Sequence, residues 1–490
     1  MKTRLRAVLI VLLVAVSWAG GVAVPADAPG VDRITRVGCR AEWDTPTDIL
    51  VHTPEEELFA GVIHPEAALF ERAFAISGAA AEHRAYIDLL RRNGVRVHTV
   101  VGTLLAGTVD GAGLARPGRD LDALREFARD FITIDASALP AAEQAEQAEY
   151  LAQTLGALHP RELVRIILQC PTVRLRPSLV PNTRYAASYE FAPVMNLYFC
   201  RDQQITTARG VVMGRMNSEQ RAVETQIMRF VLRKLGVRPI YRVADEGRLE
   251  GGDFLPAGDT CFLGQGLRTN AEGVRQLLAH RVFGVPRVVV VKEPWQNQDQ
   301  MHLDTYFNIL SPTRAVLVAE RMDLRDESGA IVQPARPDRR CAIDVYELQG
   351  ESYVCTARHG DFQRFLEEEM GFELIPVSNE DQLDYAINFL CIGPDRILGV
   401  AGASAGYRRS LRGVDATWMD FSNLTGGYGG LVGNATDAAR LVRLHLADGH
   451  RADDRRDGLR ADVASRADED RDERGEQDHF LQHVRVVLLD

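Results

Sequence analysis

Cysteine is scarce in this sequence, with seven residues of that type in a chain of 490. They are too few and too irregularly spaced for a disulfide scaffold, and no two of them form the C-x-x-C pair that is typical of zinc or haem sites. We therefore expect neither a metal centre nor a cofactor.

A basic surface is lacking as well. The chain has 57 Lys and Arg against 68 Asp and Glu, a formal charge of −11, whereas binding to phosphate backbones needs a positive face. We expect no nucleic-acid partner and favour a small, cationic ligand. At 46% hydrophobic and 26% charged, the composition is that of an ordinary globular protein of one large domain or a few smaller ones.

Apolar runs long enough to span a membrane are absent outside the N-terminus. There, Lys2, Arg4 and Arg6 precede an apolar run that gives way to the small residues of VPADAPG, which is the order of a secretory signal. We expect residues 1–26 to be a signal peptide, a mature start near Asp27, and export. An uncleaved membrane anchor and a cytoplasmic protein with a misassigned start stay open, and an odd cysteine count weighs slightly against an oxidising compartment.

The pattern of the central chain predicts an α/β fold. Helical patterns that end in glycine separate short β-like runs, and a unit of two strands followed by a helix recurs, so we assign residues 41–444 to one domain. Between 114 and 171 the strand signal vanishes and three helices are predicted, as in a helical insertion. The predicted strands are DILVH, VRVHTV, NLYFC, GVVMG, PIYRV, TCFLG, RVVVVK, YFNIL, RAVLVA, ELIPV, FLCIG and RILGV.

The C-terminal residues 445–490 differ in composition from the rest. They are rich in Arg, Asp and Ala and offer almost nothing to bury before the final FLQHVRVVLLD, so we predict a disordered tail. The same composition also arises from an out-of-frame reading of GC-rich DNA.

Three short segments place carboxylates and a histidine beside apolar runs: residues 196–202, 249–253 and 301–305. His302 and Asp304 are two apart, so on a strand both would point to the same face. In the second segment the glycines between Glu250 and Asp253 remove side chains and let the two carboxylates converge on one ligand.

Several carboxylates in one cavity would repel one another unless a cation lay among them. A metal site needs two or three His or Cys at ligand spacing or an Asp-rich loop, and only one His is present here. A guanidinium fits better, because its planar donors match bidentate carboxylates. Each segment alone could be a capped strand end with solvated charges; their joint occurrence favours a site.

The motifs NLYFCRD, EGGD, MHLDT and NFLCIGP resemble, in order and spacing, those of the arginine deiminases, within the guanidine-modifying superfamily that also holds amidinotransferases and dimethylarginine hydrolases. The likeness runs from about residue 41 to about residue 430. It implies a five-bladed, pseudo-symmetric α/β propeller (pentein) with an early helical insertion, acting on L-arginine or a related guanidino compound to give citrulline and ammonia. An amidinotransferase, or a binding protein without turnover, remains an alternative, and a homo-oligomer stays open.

The resemblance also implies roles for the acidic residues. Asp202 and Asp304 would grip the substrate guanidinium, His302 would be the general acid and base, and Glu250 would support His302. Asp253 would line the charged pocket.

Four further residues match the family's amino-acid pocket. Arg221 and Arg268 would hold the α-carboxylate of the substrate, and Asn196 and Phe199 would line the pocket. From the residues alone, Arg221 could also be a surface arginine of a helix.

The implied chemistry starts from a cysteine thiolate that attacks the guanidinium carbon. Ammonia leaves, and water activated by the histidine then releases the ureido product from a covalent thiouronium. The family places this cysteine after a glycine-rich turn near the C-terminus, where this chain has Gly433. Cys200 and Cys391 are not at that position, and the nearby hydroxyls are far weaker nucleophiles: Ser422, Thr425 and Tyr428.

Three explanations of Gly433 stay open. A frameshift just after Gly430 would account for both the missing cysteine and the unusual tail, and the gene sequence around that codon decides it. A natural pseudoenzyme would bind a guanidino compound without turnover. An active enzyme would use an unrecognised nucleophile or a different chemistry.

Overall fold

The computed structural model describes residues 32–70, 72–400 and 415–419. The predicted signal segment (1–26), Gly433 with its glycine-rich turn, and the predicted tail (445–490) lie outside the described residues. Within the described ranges, no helix has both the length and the apolar character that a membrane crossing requires.

The strands of the described residues are β1 (Asp48–Val51), β2 (Arg96–Thr99), β3 (Thr133–Asp135), β4 (Pro171–Pro177), β5 (Tyr185–Phe191), β6 (Gln204–Thr207), β7 (Gly210–Met213), β8 (Tyr241–Arg242), β9 (Phe254–Ala257), β10 (Thr260–Gln265), β11 (Arg287–Lys292), β12 (Phe307–Ser311), β13 (Arg314–Val318), β14 (Leu324–Arg325), β15 (Ile331–Gln333), β16 (Ala342–Gln349), β17 (Ser352–Asp361), β18 (Glu373–Val377), β19 (Leu390–Gly393), β20 (Arg396–Val400) and β21 (Asp415–Met419).

The helices are α1 (Phe59–Ile63), α2 (Ile76–Arg92), α3 (Val100–Leu105), α4 (Arg119–Arg129), α5 (Ala141–Ala157), α6 (Pro160–Gln169), α7 (Glu224–Lys234), α8 (Ala271–Ala279), α9 (Phe362–Arg364) and α10 (Asn379–Leu383). A π-helical turn, Phe365–Glu369, follows α9. The 3-10 turns are Glu56–Leu58, Pro65–Ala68, Glu219–Arg221, Gly251–Asp253, Gln298–Gln300, Leu303–Thr305 and Ala319–Arg321.

One strand arrangement recurs along the chain. An antiparallel hairpin is followed by a third strand that pairs in parallel with the second, in the orders β6-β7-β8, β9-β10-β11, β12-β13-β18 and β19-β20-β21. Helices α7, α8 and α9 lie within the first three of these connections, and β1 and β2 form a parallel pair across α2. The fold is therefore mixed α/β.

The remaining strands extend or decorate this pattern. The hairpin β16-β17 continues the sheet of β11, which gives the order β17-β16-β11-β10-β9, and β14-β15 is a separate hairpin. Strands β3, β4 and β5 form a sheet of their own beside α4, α5 and α6.

The three helices predicted between 114 and 171 are present as α4, α5 and α6, but this stretch also contains a strand that was not predicted. Thr133–Asp135 forms β3 and pairs in parallel with the start of β4. Three residues are too few to give a readable alternation, so the sequence pattern could not indicate this strand.

Two of the segments that carry acidic residues also differ from the expected strands. Residues 196–200 form successive turns, in which the amide N–H of Leu197 donates to the carbonyl of Val194 and that of Phe199 to Asn196. Leu303–Thr305 is a 3-10 turn, so His302 and Asp304 do not share the face of a strand. A short run whose side chains are all apolar and buried shows no alternation of apolar and polar residues. Its pattern therefore cannot distinguish a strand from a turn.

The hydrophobic core of the described residues forms four clusters, and each of them contributes a residue that lies within an acidic segment. Leu303 belongs to the cluster around β12 and β13, Leu197 to the cluster around α4, α6 and α7, Phe199 to the cluster around α2, and Leu249 to the cluster around β10 and α8. The acidic segments thus contain buried residues that belong to four different clusters.

Candidate functional site

The structure brings the three acidic segments together. The amide N–H of Gly251 donates to the carbonyl of Asp202 at 3.0 Å, which joins the first segment to the second. The amide N–H of Leu303 donates to Asp253 Oδ1, also at 3.0 Å, which joins the second to the third. Backbone groups from all three segments therefore fix one shared site.

Glycine is required in the EGGD segment by close packing. A Cβ atom at Gly251 would lie 2.0 Å from the carbonyl oxygen of Arg201, and one at Gly252 would lie 2.7 Å from the imidazole of His302. Neither distance is compatible with a side chain, so the two glycines let the segment pass directly against the other two.

His302 and Glu250 form a buried pair. Their Nε2 and Oε2 atoms are 3.0 Å apart, and Glu250 Oε1 accepts from the amide N–H of Asn217 at 2.8 Å. Burial alone would lower the pKa of His302, but the negative charges of Asp202, Glu250 and Asp253 raise it above its ordinary value. Burial acts to raise the pKa of Glu250, but the hydrogen bond from His302 and the positive charges of His302, Arg221 and Arg268 together outweigh it and lower that pKa. The imidazole is therefore protonated at neutral pH and can donate a proton.

Asp304 lies against Arg201, which in turn pairs with Glu42, and neither residue was predicted to belong to the site. Arg201 Nε is 3.4 Å from Asp304 Oδ2, and Arg201 Nη2 is 2.9 Å from Glu42 Oε1. Burial raises the pKa of Asp304 to about 7, although the neighbouring guanidinium acts to lower it. The signal available in the sequence was the adjacency of Arg201 to Asp202; nothing connected Glu42 to either.

Arg221 is buried, so the alternative of a surface arginine is wrong. It ends the 3-10 turn Glu219–Arg221, and its Nη1 donates to Asp202 Oδ2 at 2.7 Å. Nη2 donates to Glu224 Oε2 at 2.9 Å and to the carbonyl of Asn196 at 3.3 Å. In this structure the guanidinium is therefore held by two carboxylates of the chain itself, and a role in binding the α-carboxylate of a ligand stays a prediction.

Arg268 has a different environment. Its side chain is only 6% exposed, and Nη2 donates to Gln298 Oε1 at 2.9 Å and contacts Met301 Sδ at 3.4 Å. Its Nε has no hydrogen-bond partner, and among the described residues it forms no ion pair, although the charge of Glu250 acts on it from a longer distance. A buried cation without an anion is costly, so this position suits an anionic group of a ligand.

Asn196 and Phe199 lie beside Arg221. The side-chain amide of Asn196 donates to the carbonyl of Ala68 at 3.2 Å, whereas its Oδ1 is buried without a partner. The guanidinium carbon of Arg221 is 5.8 Å from the centre of the Phe199 ring. Both residues are thus at the site, with one acceptor of Asn196 unused.

All seven cysteines fall in the described part of the chain, and none is in a disulfide. Burial raises the pKa of Cys391 to about 12 and that of Cys200 further above its ordinary value. Their thiols donate to the carbonyls of Gly393 and Leu197 rather than to His302. Neither has the properties of a thiolate nucleophile.

Other candidate chemistry is sparse in the described residues. They contain no group of three or more His, Cys, Asp and Glu side chains placed to hold a metal ion. An open cleft of about 920 Å³ lies between α1, α2, α6 and the end of β5, with Phe59, Ile63, Ile166 and Phe191 in its walls. Residues of the acidic site do not line this cleft.

Comparison with solved structures gives distant likenesses. An amidinotransferase of Microseira wollei is 12% identical, with 82% of this chain and 98% of that chain covered and a TM-score of 0.46. A DDAH of Pseudomonas aeruginosa in complex with citrulline is 18% identical, with 79% and 96% covered and a TM-score of 0.43. At these identities and TM-scores, family membership has to come from sequence.

Sequence comparison provides it. The family model "Arginine deiminase" matches residues 66–434, which is three quarters of the chain. An arginine deiminase of Halobacterium salinarum is 25% identical over 450 residues, with 76% of this chain and 87% of the relative covered. One of Mycolicibacterium gilvum is 29% identical over 338 residues, with 63% and 78% covered. The chain belongs to the arginine deiminase family.

Proposed function

We propose that the site binds the guanidinium group of L-arginine or of a closely related compound, and that the reaction for which it is built is hydrolysis to citrulline and ammonia. The observation that carries this proposal is the meeting of Asp202, Asp304 and the pair of His302 and Glu250 in one buried location. Family membership supports it independently.

The two aspartates would grip the guanidinium. A planar cation with several N–H donors matches two carboxylates in both charge and direction, and burial strengthens such contacts. Asp202 Oδ2 is occupied by Arg221, which leaves Oδ1 for a ligand. Asp253, with one oxygen bound to Leu303, adds negative charge to the same wall.

Arg268 would take the α-carboxylate of the ligand. It is a buried cation whose Nε has no partner. The resemblance pairs it with Arg221, but Arg221 could reach a ligand only by giving up part of its contact with Asp202 or Glu224. Asn196, with a free Oδ1, would accept from the α-amino group, and Phe199 would line the pocket.

His302 would move the protons. In its protonated form it would donate a proton to the leaving ammonia as the C–N bond breaks. The rest of the guanidino group would stay bound to the sulfur as the thiouronium. It would then take a proton from water as water adds to the same carbon, and the C–S bond would break to return the thiolate. This sequence needs a thiol, and position 433 is glycine. We therefore propose that the chain binds its ligand without turning it over.

We further propose that the domain is the five-bladed propeller of its family. Four hairpin-plus-strand units and the two-stranded parallel pair β1-β2 would supply the five blades. An experimental structure in which the five units surround the acidic segments would support this, and an open arrangement of the units would contradict it.

Product analysis tests the function. Purified chain incubated with L-arginine should form no citrulline, whereas Gly433→Cys should form it, and Gly433→Ser, which adds only a hydroxyl, should not. Citrulline from the unaltered chain would contradict the absence of turnover. Ornithine without citrulline, in the presence of an amine acceptor, would indicate amidino transfer instead.

A further inference from the structure

Arg201 is a buried arginine whose donors all point to fixed partners. Nε donates to the carbonyl of Gly251 at 3.2 Å, and Nη2 donates to the carbonyl of Phe254 at 2.8 Å. The two terminal nitrogens contact both oxygens of Glu42, and Nε faces Asp304 at 3.4 Å. A guanidinium held in this way cannot swing toward a ligand.

Glu42 reaches the site from the N-terminal segment. Its amide N–H donates to the carbonyl of Pro256 at 2.9 Å, and the neighbouring Ala41 forms an isolated bridge with Ala257 of β9. These backbone contacts fix the position of the Glu42 backbone, from which its carboxylate reaches Arg201. Glu42 is 159 residues from Arg201 in sequence, so the pair exists only in the folded chain.

We propose that Arg201, braced by Glu42, is a positioning residue that sets the charge of Asp304. The proposal rests on the proposed function, in which Asp304 binds a guanidinium. Arg201 opposes protonation of a carboxylate that burial would otherwise keep neutral. Glu42 cancels the charge of Arg201, so that the pair adds no net repulsion against a cationic ligand, while Arg201 remains next to Asp304.

The surroundings of Asp304 define what each substitution should do. The charged groups that face it are Arg201, His302, Asp202 and Asp253. Loss of the Arg201 charge removes an opposite charge at close range and should raise the pKa of Asp304. Loss of the Glu42 charge leaves Arg201 uncompensated, which should lower that pKa. A role confined to packing would move both variants in the same direction, because loosened packing admits water in each.

The first measurement needs no ligand. The full chain labelled with 13Cγ-aspartate is titrated by NMR, with the Asp304 signal identified by its loss in Asp304→Asn. In Arg201→Gln the titration midpoint of Asp304 should rise by roughly one to three pH units. In Glu42→Gln it should fall, and Arg201→Lys, which keeps the charge, should restore most of the unaltered midpoint.

A matched control is available in Asp344→Asn. Asp344 is a buried carboxylate 2.7 Å from Lys292 on the β11-β16 ladder, and it is not part of the acidic site. This variant should leave the Asp304 midpoint unchanged. Unmoved midpoints in both Arg201→Gln and Glu42→Gln, or shifts of the same sign, would overturn the proposal. If Arg201→Gln does not fold, Arg201→Lys and Glu42→Gln decide together, because Arg201→Lys loosens the packing but keeps the charge. A fall in Glu42→Gln with a nearly unchanged midpoint in Arg201→Lys supports the proposal, and a fall in both refutes it.

Calorimetry with L-arginine across pH separates this inference from the proposed function. The pH at which binding reaches half its maximal affinity should follow the NMR midpoints, rising in Arg201→Gln and falling in Glu42→Gln. If the Asp304 midpoint shifts in opposite directions in the two variants but L-arginine does not bind, the proposed role of Arg201 is supported and the proposed ligand is refuted. If both variants bind L-arginine with the pH profile of the unaltered chain, the proposed role of Arg201 is refuted and the proposed ligand is supported.

Discussion

At the scale of single residues, the charge of Asp304 governs how the site responds to pH. Burial raises its pKa to about 7, so the carboxyl is partly protonated at neutral pH in the ligand-free chain. A bound guanidinium favours the ionised form, and binding below pH 7 must therefore release a proton.

The affinity for L-arginine should consequently fall as the pH is lowered below about 7, by roughly tenfold per pH unit. Calorimetry between pH 5.5 and 8 measures this slope, and heats taken in buffers of different ionisation enthalpy count the released proton. Asp304→Asn should bind weakly with no such slope. A flat profile in the unaltered chain would contradict an ionised Asp304 as a ligand contact.

The pair of His302 and Glu250 should be visible in folding stability. The pKa of His302 is raised, so its contribution is complete below its ordinary value of 6.5 and is lost as the pH rises through about 9. The pKa of Glu250 is lowered, so its contribution is present above 4.5 and is lost as the pH falls through about 2. The pair should thus stabilise the fold most between pH 4.5 and 6.5.

Glu250→Gln should lower the free energy of unfolding at pH 6 by on the order of 3 kcal/mol, because it leaves a buried imidazole without its anion. The difference from the unaltered chain should shrink at pH 9.5, where His302 is neutral in both. Urea unfolding at the two pH values measures this, and the His302 ring signal in NMR should titrate at lower pH in the variant. Equal losses of stability at both pH values would show that the pair is not ionic.

At the scale of elements, the contact between the EGGD turn and the His302 ring is the most sensitive junction. A Cβ atom at Gly252 would lie 2.7 Å from that ring, whereas a Cβ at Gly156, near the end of α5, would meet nothing within 4 Å. The two glycines make a matched pair for the same substitution.

Gly252→Ala should therefore destabilise the fold by about 1–3 kcal/mol and displace His302, because the ring has to move. Gly156→Ala should be neutral or stabilising by about 0.5–1 kcal/mol, since alanine is the better helix former. Thermal unfolding gives the comparison. A Gly252→Ala variant as stable as Gly156→Ala would mean that the turn does not pack against the imidazole.

The elements also show what the sequence could predict. Strands such as β10, β11 and β13 are continuous apolar runs with turn residues on either side, and these were predicted almost to the residue. The turns at 196–200 and 303–305 were mistaken for strands because their apolar residues are buried by separate clusters on several sides. The hairpin β16-β17 was missed, since charged residues interrupt its apolar alternation.

The same distinction applies to the site. Asp202, Glu250, Asp253, His302 and Asp304 could be found from three local motifs. Arg201 and Glu42 could not be paired from sequence, because their contact depends on where the N-terminal segment lies in the folded chain. The ion pair between Arg221 and Asp202 could not be predicted for the same reason, although the two residues are only 19 positions apart in sequence.

At the scale of the whole molecule, an acidic, buried site is built from segments whose apolar residues belong to four core clusters of the described residues, in a chain of the arginine deiminase family. The central claim is that this site selects a guanidinium through its carboxylates, whether or not position 433 supports turnover.

Isothermal titration of the full chain with L-arginine at pH 8, in which Asp304 is ionised, tests that claim most directly. The unaltered chain and the Asp344→Asn control should bind L-arginine with matching saturable heats. The affinity of Asp202→Ala should be at least a hundredfold lower, as expected for the loss of a buried charge partner worth about 3 kcal/mol or more. No saturable heat in the unaltered chain, or equal affinity in Asp202→Ala, would contradict the account.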